Sequence, residues 1–403
     1  MSDSFTTTTS TSWAKRLTSA LAGVLIGLAL FAGSFTLLTW NEGRSIARYK
    51  TLDEGRSLVV SASADSLDAS KNGKLIHVSG FTKSPYIVQD PVFGTSADAL
   101  KLRRTVEMYQ WEEDEETNNT KNAGGSETTE TTYSYKKTWS SELIHSDSFQ
   151  KPEGHQNPDT MPYHSQTLEA QDITLGQYKL GHEITQEIDN YEEFPLSQTE
   201  YDQMDPQLQQ AFKLHMNQLF YGNPDNPQIG AMRVTYDIIR PGDYSVIGAQ
   251  NSNNIGEFLT KHGSIALAEP GILESDVMFQ IAEDENTIMT WLLRVGGFVM
   301  MWLGLTLVLK PISAFGDIIP FVGSVLQVGI GALTFITSAV LSIVTIAVAW
   351  LFLRPLISIP LLLLALFMVF GGWKVLHKKA RGLIKTTDKD DLDNPSETTG
   401  ANI

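Results

Sequence analysis

The chain has 403 residues, 46 acidic against 30 basic side chains, a net charge of −16 and no cysteine. Without thiols there is no disulfide framework, thiolate metal site or cysteine nucleophile, and the acidic balance argues against nucleic acid, which is bound through clustered Lys and Arg. Apolar residues gather at the two ends and leave a polar, acidic middle.

In chain order, residues 1–16, with the run SDSFTTTTSTS, predict a disordered tail. Residues 17–41 carry no charge; Lys15 and Arg16 precede them, and Glu42 and Arg44 follow. That run is long enough to cross roughly 30 Å of hydrocarbon as a helix, and it exceeds the apolar core of a signal peptide, about 7–15 residues.

Residues 42–290 read as a soluble, strand-rich α+β domain. Within it, residues 74–81 (KLIHVSGF) and 100–111 alternate and predict strands. Tyr133, Tyr135 and Trp139 alternate again, so residues 100–139 predict a long hairpin with a flexible tip, the acidic run Glu112–Glu116 being a solvated loop. Asp205 and Pro206 supply an N-cap and first turn, and Leu208, Ala211, Phe212, His215 and Leu219 follow at helical spacing up to Gly222. Arg233–Ile239 predicts a strand, Pro241–Gly242 a turn, and Tyr244–Ala249 a strand returning beside it. A helix from Ser275 runs through Thr290 into the next apolar stretch.

Residues 291–310 predict a second crossing, 311–322 a short cytoplasmic or interfacial loop, 323–353 a third crossing, and 355–373 a fourth with Pro360 as a kink. Residues 374–403 are a basic, then disordered, cytoplasmic tail. The fold class is thus a multi-pass α-helical membrane protein with four transmembrane helices arranged one plus three around an inserted domain. Lys15, Arg16, Lys310 and the basic residues after 373 fall on one side if four helices cross, which puts both termini in the cytoplasm and the domain in the lumen or periplasm.

The pairs Gly23 with Gly27 and Gly297 with Gly304 permit close helix approach, for which packing within one chain is sufficient. Gln327 is the polar residue placed towards the bundle. Glu42, Arg44, Arg294 and Arg354 stand near helix ends as membrane-interface and structural positions. Arg103, Arg104 and Glu107 are candidates for ordered polar contacts in the domain. His182-Glu183 lacks the second histidine of a zinc protease motif, since Gln186 stands there. No nucleophile elbow, phosphate loop or dinucleotide fingerprint is found. His145, His155 and His164 read as surface polar residues, with a metal as the competing reading. No catalytic residue, cofactor or metal ligand is assigned, and no enzyme activity is expected.

Several strings carry a resemblance: Asn41-Glu42-Gly43-Arg44, EGRSLVVS at 54–61, KLRRTVEMYQWEE at 101–113, TYSYKKTWSSELIHSDSFQKPEGHQNP at 132–158, MRVTY at 232–236, TWLLRVGGFVMMWLGL at 290–305 and WLFLRPL at 350–356. Together they resemble the transmembrane protein 43 (LUMA) family over nearly the whole chain, with residues 165–225 and both tails weaker. The resemblance implies a multi-pass protein that organises membrane assemblies through a lumenal domain, with membrane lipids and other copies of itself as partners. In a eukaryote it implies the endoplasmic reticulum and inner nuclear membrane, with emerin-like proteins and lamins as further partners; in a bacterium, the cytoplasmic membrane with a periplasmic domain. The expected function is a membrane-anchored scaffold. A transporter or channel component and a membrane-tethered hydrolase or lipid-modifying enzyme are the alternatives.

Overall fold

The computed structural model describes residues 3–122, 125–316 and 320–353, with isolated positions 363 and 367. The chain divides into two compact units. One holds the described residues within 1–11, 47–122 and 127–287; the other holds those within 12–46, 123–126 and 288–403.

The strand-rich unit contains two sheets. The eight-stranded sheet is built from β1 (Asp3–Thr11), β4 (Lys101–Lys121), β5 (Glu127–Ser140), β6 (Gln166–Glu169), β9 (Glu192–Glu193), β10 (Phe212–His215), β11 (Gln218–Tyr221) and β12 (Met232–Ile239), in the order β1-β5-β4-β12-β11-β10, with β9 on β12 and β6 on β4. The seven-stranded sheet holds β2 (Val60–Ser61), β3 (Leu75–Lys83), β7 (Thr174–Leu175), β8 (Tyr178–Leu180), β13 (Asp243–Asn251), β14 (Asn254–Gly256) and β15 (Leu267–Pro270). Because β13 pairs with β3 as well as with β14, strands β13, β14, β8, β7 and β3 close on one another and leave few free edges. The alternation of β4 drives the packing: Leu102, Val106 and Met108 face inward with Val234 and Ile238 of β12, and meet Ile76 and Val78 of β3 and Val246 of β13 in one core.

A smaller core joins this sheet to two helices. Helix α1 (Trp13–Leu58) is a single unbroken helix with no proline, about 69 Å long at the usual rise, and helix α3 runs Ser275–Gly316. Leu52 from α1 and Met278, Phe279 and Ala282 from α3 pack with Leu75, Ile247, Ile265 and Leu267. A Cβ at Gly55 would lie 2.2 Å from Ile265 Cδ1 and 3.1 Å from the Phe279 ring, so only glycine permits this approach. Arg56 caps the contact, 3.1 Å from Glu283 and 5.7 Å from the centre of the Phe279 ring.

Four expectations for the N-terminal tail and the strand-rich unit change. Asp3–Thr11 is a strand, paired in register with β5 from Asp3 opposite Tyr135 to Thr11 opposite Glu127; its β-branched threonines suit a pleated edge better than a coil. The acidic run Glu112–Glu116 lies in β4, opposite Lys136–Thr132. Two of its five carboxylates share Lys136 across the ladder, 2.7 Å from Asp114 and 3.5 Å from Glu112. The helix expected from Asp205 to Gly222 is short: α2 (Pro206–Ala211) has the Asp205 cap, donated to by the Gln207 N–H, and then gives way to the β10–β11 hairpin. Met216 and Asn217 both take positive φ, 46° and 62°, which forms the tight two-residue turn that right-twisted strands favour. Finally, β13 does not return beside β12. The chain changes sheet at Arg240–Gly242, and β13 becomes a central strand buried from Tyr244 to Gln250.

The expected helix from Ser275 is present as α3, which continues through Pro311 to Gly316 instead of closing at Lys310. Proline costs one backbone hydrogen bond, a loss confined here to the last two turns. Helix α4 (Pro320–Leu353) follows, with Pro320 in its first turn, so the stretch 311–322 is largely helical. Stretches of α1, α3 and α4 are long and apolar enough to cross a membrane. Arg354, most of the expected crossing at 355–373 and the tail at 374–403 lie outside the described residues, as does the Gln327 side chain.

Candidate functional site

The polar residues at the ends of the apolar helices meet in one cluster within the helical unit. Glu42, on α1 just after the uncharged run, is 1% exposed. Its carboxylate accepts two hydrogen bonds from Arg294 of α3, Nε to Oε1 at 2.7 Å and Nη2 to Oε2 at 2.8 Å. The indole N–H of Trp350 on α4 donates to Oε2. The Arg294 guanidinium lies 4.9 Å from the centre of the Trp291 ring and 5.4 Å from that of Trp350. One turn of α1 is tied in the same way: Asn41 Nδ2 donates to the Thr290 carbonyl at 3.0 Å, and Arg44 Nη2 donates to Asn41 Oδ1 at 3.3 Å and Thr290 Oγ1 at 3.2 Å. A buried carboxylate is tolerated only when its charge and lone pairs are met, and the bidentate fork with an indole donor meets both.

Below this cluster the helices approach closely. A Cβ at Gly304 would lie 2.6 Å from the Phe31 backbone N, one at Gly27 2.8 Å from the Gly304 carbonyl oxygen, and one at Gly297 2.6 Å from Leu38 Cδ2. Gly23 has open space around it among the described residues. Thr306 and Thr334 hydroxyls meet at 3.1 Å and Ser342 donates to Met301 Sδ at 3.5 Å, so α4 packs on α3 through small polar side chains.

Sequence reasoning singled out Glu42, Arg44 and Arg294 as separate interface positions; the structure joins Glu42 to Arg294, and Arg44 to its neighbours. Asn41, Thr290, Trp291 and Trp350 were not singled out as site residues. Their signal lay in the strings NEGR, TWLLR and WLFLR, which converge here from three helices.

The strand-rich unit has a counterpart. Asp90, fully buried, accepts from Arg104 Nη1 at 2.5 Å, the Tyr236 hydroxyl at 2.7 Å and the Val92 N–H at 2.8 Å. Burial first, and the Asp90 charge second, push the Tyr236 phenol well above its usual range, which keeps it a neutral donor. Across the β4–β12 ladder Arg103 pairs with Asp237 at 3.0 Å and lies over Tyr191, and Arg233 pairs with Glu107 at 2.6 Å over Trp139.

Two places test a catalytic reading. An open groove of about 600 Å³ is lined by Ser61, Ser63, His77, Ser79, Lys83 and Glu274. There His77 Nε2 lies 2.9 Å from the Leu273 carbonyl, which can only accept, so this nitrogen carries the proton and is not a base for Ser79, 3.4 Å away. Burial holds the His77 imidazole below its ordinary value. His155 is buried, stacked on Tyr135 at 3.8 Å and against Trp111, with Nδ1 3.0 Å from the Lys151 carbonyl, while His145 and His164 are exposed. Among the described residues no three His, Asp or Glu side chains are grouped to hold a metal.

A family model described as Transmembrane protein 43 matches residues 108–355. Transmembrane protein 43 of Rattus norvegicus is 32% identical over 378 residues, covering 91% of this chain and 93% of the relative. That of Homo sapiens is 32% identical over 364 residues, covering 87% and 90%, and a Drosophila melanogaster homolog is 29% identical over 353 residues, covering 84% and 91%. No solved structure matches the chain. The family match and the relatives show that the chain belongs to the transmembrane protein 43 family.

Proposed function

We propose that the chain is a multi-pass membrane scaffold that presents its strand-rich domain outside the cytoplasm as a platform for assembling other membrane proteins. The observation that carries this reading is the continuity of α1 and α3. Each runs without a break from an apolar stretch into a segment packed in the domain core, at Leu52 and Gly55 in one case and at Met278 and Phe279 in the other. Both connections between the apolar stretches and the domain core are therefore helical. With residues 355–373 as a fourth crossing, both termini lie in the cytoplasm, as the basic flanks Lys15, Arg16 and Lys310 favour. The Glu42–Arg294–Trp350 cluster holds the helices together, and lipids, further copies of the chain and other membrane proteins are the partners.

Chemical crosslinking in native membranes, read by mass, tests the proposal. Discrete adducts that depend on the domain surface are expected. A protein that stays strictly monomeric and without adducts would overturn it.

A further inference from the structure

We infer that Asp3–Thr11 is a removable strap on the β5 edge, and that once α1 crosses the bilayer this edge is free to take a hydroxyl-rich extended segment from the domain's side. The inference rests on the proposed crossing by α1.

The strap is a full ladder. Nine residues of β1 pair antiparallel with β5, the Thr6 and Thr132 hydroxyls meet at 3.1 Å, and the Thr7 hydroxyl lies 3.5 Å from the Thr131 carbonyl. Only Ser12 separates Thr11 from Trp13, the first residue of α1, and one extended residue spans about 3.5 Å. With β1 on the ribbon, α1 therefore starts where the ribbon is. It also ends at the domain, since Leu58 is followed by β2 at Val60, inside the seven-stranded sheet.

The ribbon itself cannot reach through hydrocarbon. Its outer half carries Glu112, Glu113, Asp114, Glu115, Glu116, Lys121, Glu127 and Glu130, and each such charge in the bilayer core costs at least about 2.5–3.5 kcal/mol. A single unbroken helix whose two ends are both on the domain's side does not cross. Strap and crossing exclude each other, so insertion of α1 must strip β1 from β5. A second copy cannot supply the same segment, because its own tail is carried across too.

The stripped edge exposes a row of unpaired backbone N–H and C=O groups, the feature by which sheets accept an added strand. What the edge prefers is written in β1: Thr11 stands opposite Glu127 and Thr8 opposite Glu130, so hydroxyls face the carboxylates, and an acidic strand would place like charges in opposition.

The full chain, which has no native cysteine, is placed in sealed lipid vesicles as the single variants Ser4→Cys and Ser148→Cys and treated with a membrane-impermeant maleimide. Labelling from opposite sides is expected. A synthetic DSFTTTTST peptide with cysteine replacing its first serine, activated as its 2-thiopyridyl mixed disulfide so that a chain thiolate displaces pyridine-2-thione, is then offered to Ser134→Cys and Thr128→Cys chains with the domain outward. Ser134 pairs with Ser4, whereas Thr128 is six residues along, about 20 Å away. The disulfide is expected at Ser134→Cys at least about tenfold over Thr128→Cys, since bridging needs Cα atoms within about 7 Å. Labelling of Ser4→Cys and Ser148→Cys from the same side would remove the crossing, and the inference with it. Opposite labelling with no preference for Ser134→Cys would overturn the docking edge alone.

Discussion

The two buried carboxylates among the described residues are satisfied by the same chemistry in different scaffolds. Asp90 and Glu42 each accept from one arginine and one aromatic donor, Tyr236 or Trp350. In the domain, Arg104 and Tyr236 are direct partners across the β4–β12 ladder, so the backbone places them before the side chains meet. Among the helices, Glu42 lies 252 residues from Arg294 and 308 from Trp350, and only helix packing and the side chains themselves bring them together. A sheet uses such a cluster to fill its interior, whereas a helix bundle depends on it to select one arrangement of its helices.

The largest effect is expected where the remaining charge has the least access to water. Arg104→Ala leaves Asp90 uncompensated at a fully buried site, and should cost about 3–5 kcal/mol, read as the unfolding midpoint of the full chain in detergent. Arg294→Ala strands Glu42 in the same sense but beside a side chain that is itself 15% exposed, so a somewhat smaller loss within that range is expected. Replacing both members, as Glu42→Leu with Arg294→Leu, should recover most of the stability while loosening the helix arrangement, visible as broadened methyl resonances in micelles. Equal stability losses for the double and single variants would contradict this.

Next in size, Gly55→Val forces a side chain into the space held by Ile265 and Phe279, and should cost about 1–3 kcal/mol. Hydrogen exchange should then rise in residues 47–58 and 275–287 before it rises in β4 and β12.

How much of this was legible before the structure follows the same division. The apolar runs of α1, α3 and α4 and the period of β4 declare themselves, because burial in lipid or on one sheet face imposes a pattern on neighbouring residues. The β10–β11 hairpin does not: Leu208, Ala211, Phe212, His215 and Leu219 fit a helical face, and the turn at Met216–Asn217 lacks the glycine that normally marks such a turn. The change of sheet at Pro241–Gly242 is equally silent, since a turn between two strands does not say whether they pair. Of the site, the charged members at helix ends could be named, but Trp350 could not, because an indole at a helix end reads as an ordinary membrane-interface anchor.

The smallest effect concerns pH. Glu187 and Glu269, with Asp189 and Glu285, line a cavity of about 110 Å³, and burial first, neighbouring carboxylates second, hold both above the usual carboxylate range. An acid raised in the folded state contributes stability below its unfolded value near 4.5 and loses it as pH rises through the folded value. Glu187→Gln with Glu269→Gln should therefore raise Tm by about 1–2 °C at neutral pH, and the advantage should shrink towards pH 4.5. A difference that does not change with pH would contradict the assignment.

Glu42 and Arg294 act as one unit in holding the helices, and a double-mutant cycle measures that coupling. Unfolding free energies of the parent chain, Glu42→Gln, Arg294→Gln and the double variant in lipid bicelles should give a coupling of about 2 kcal/mol or more. Additive losses, with coupling below about 0.5 kcal/mol, would show instead that the two residues stabilise their helices separately.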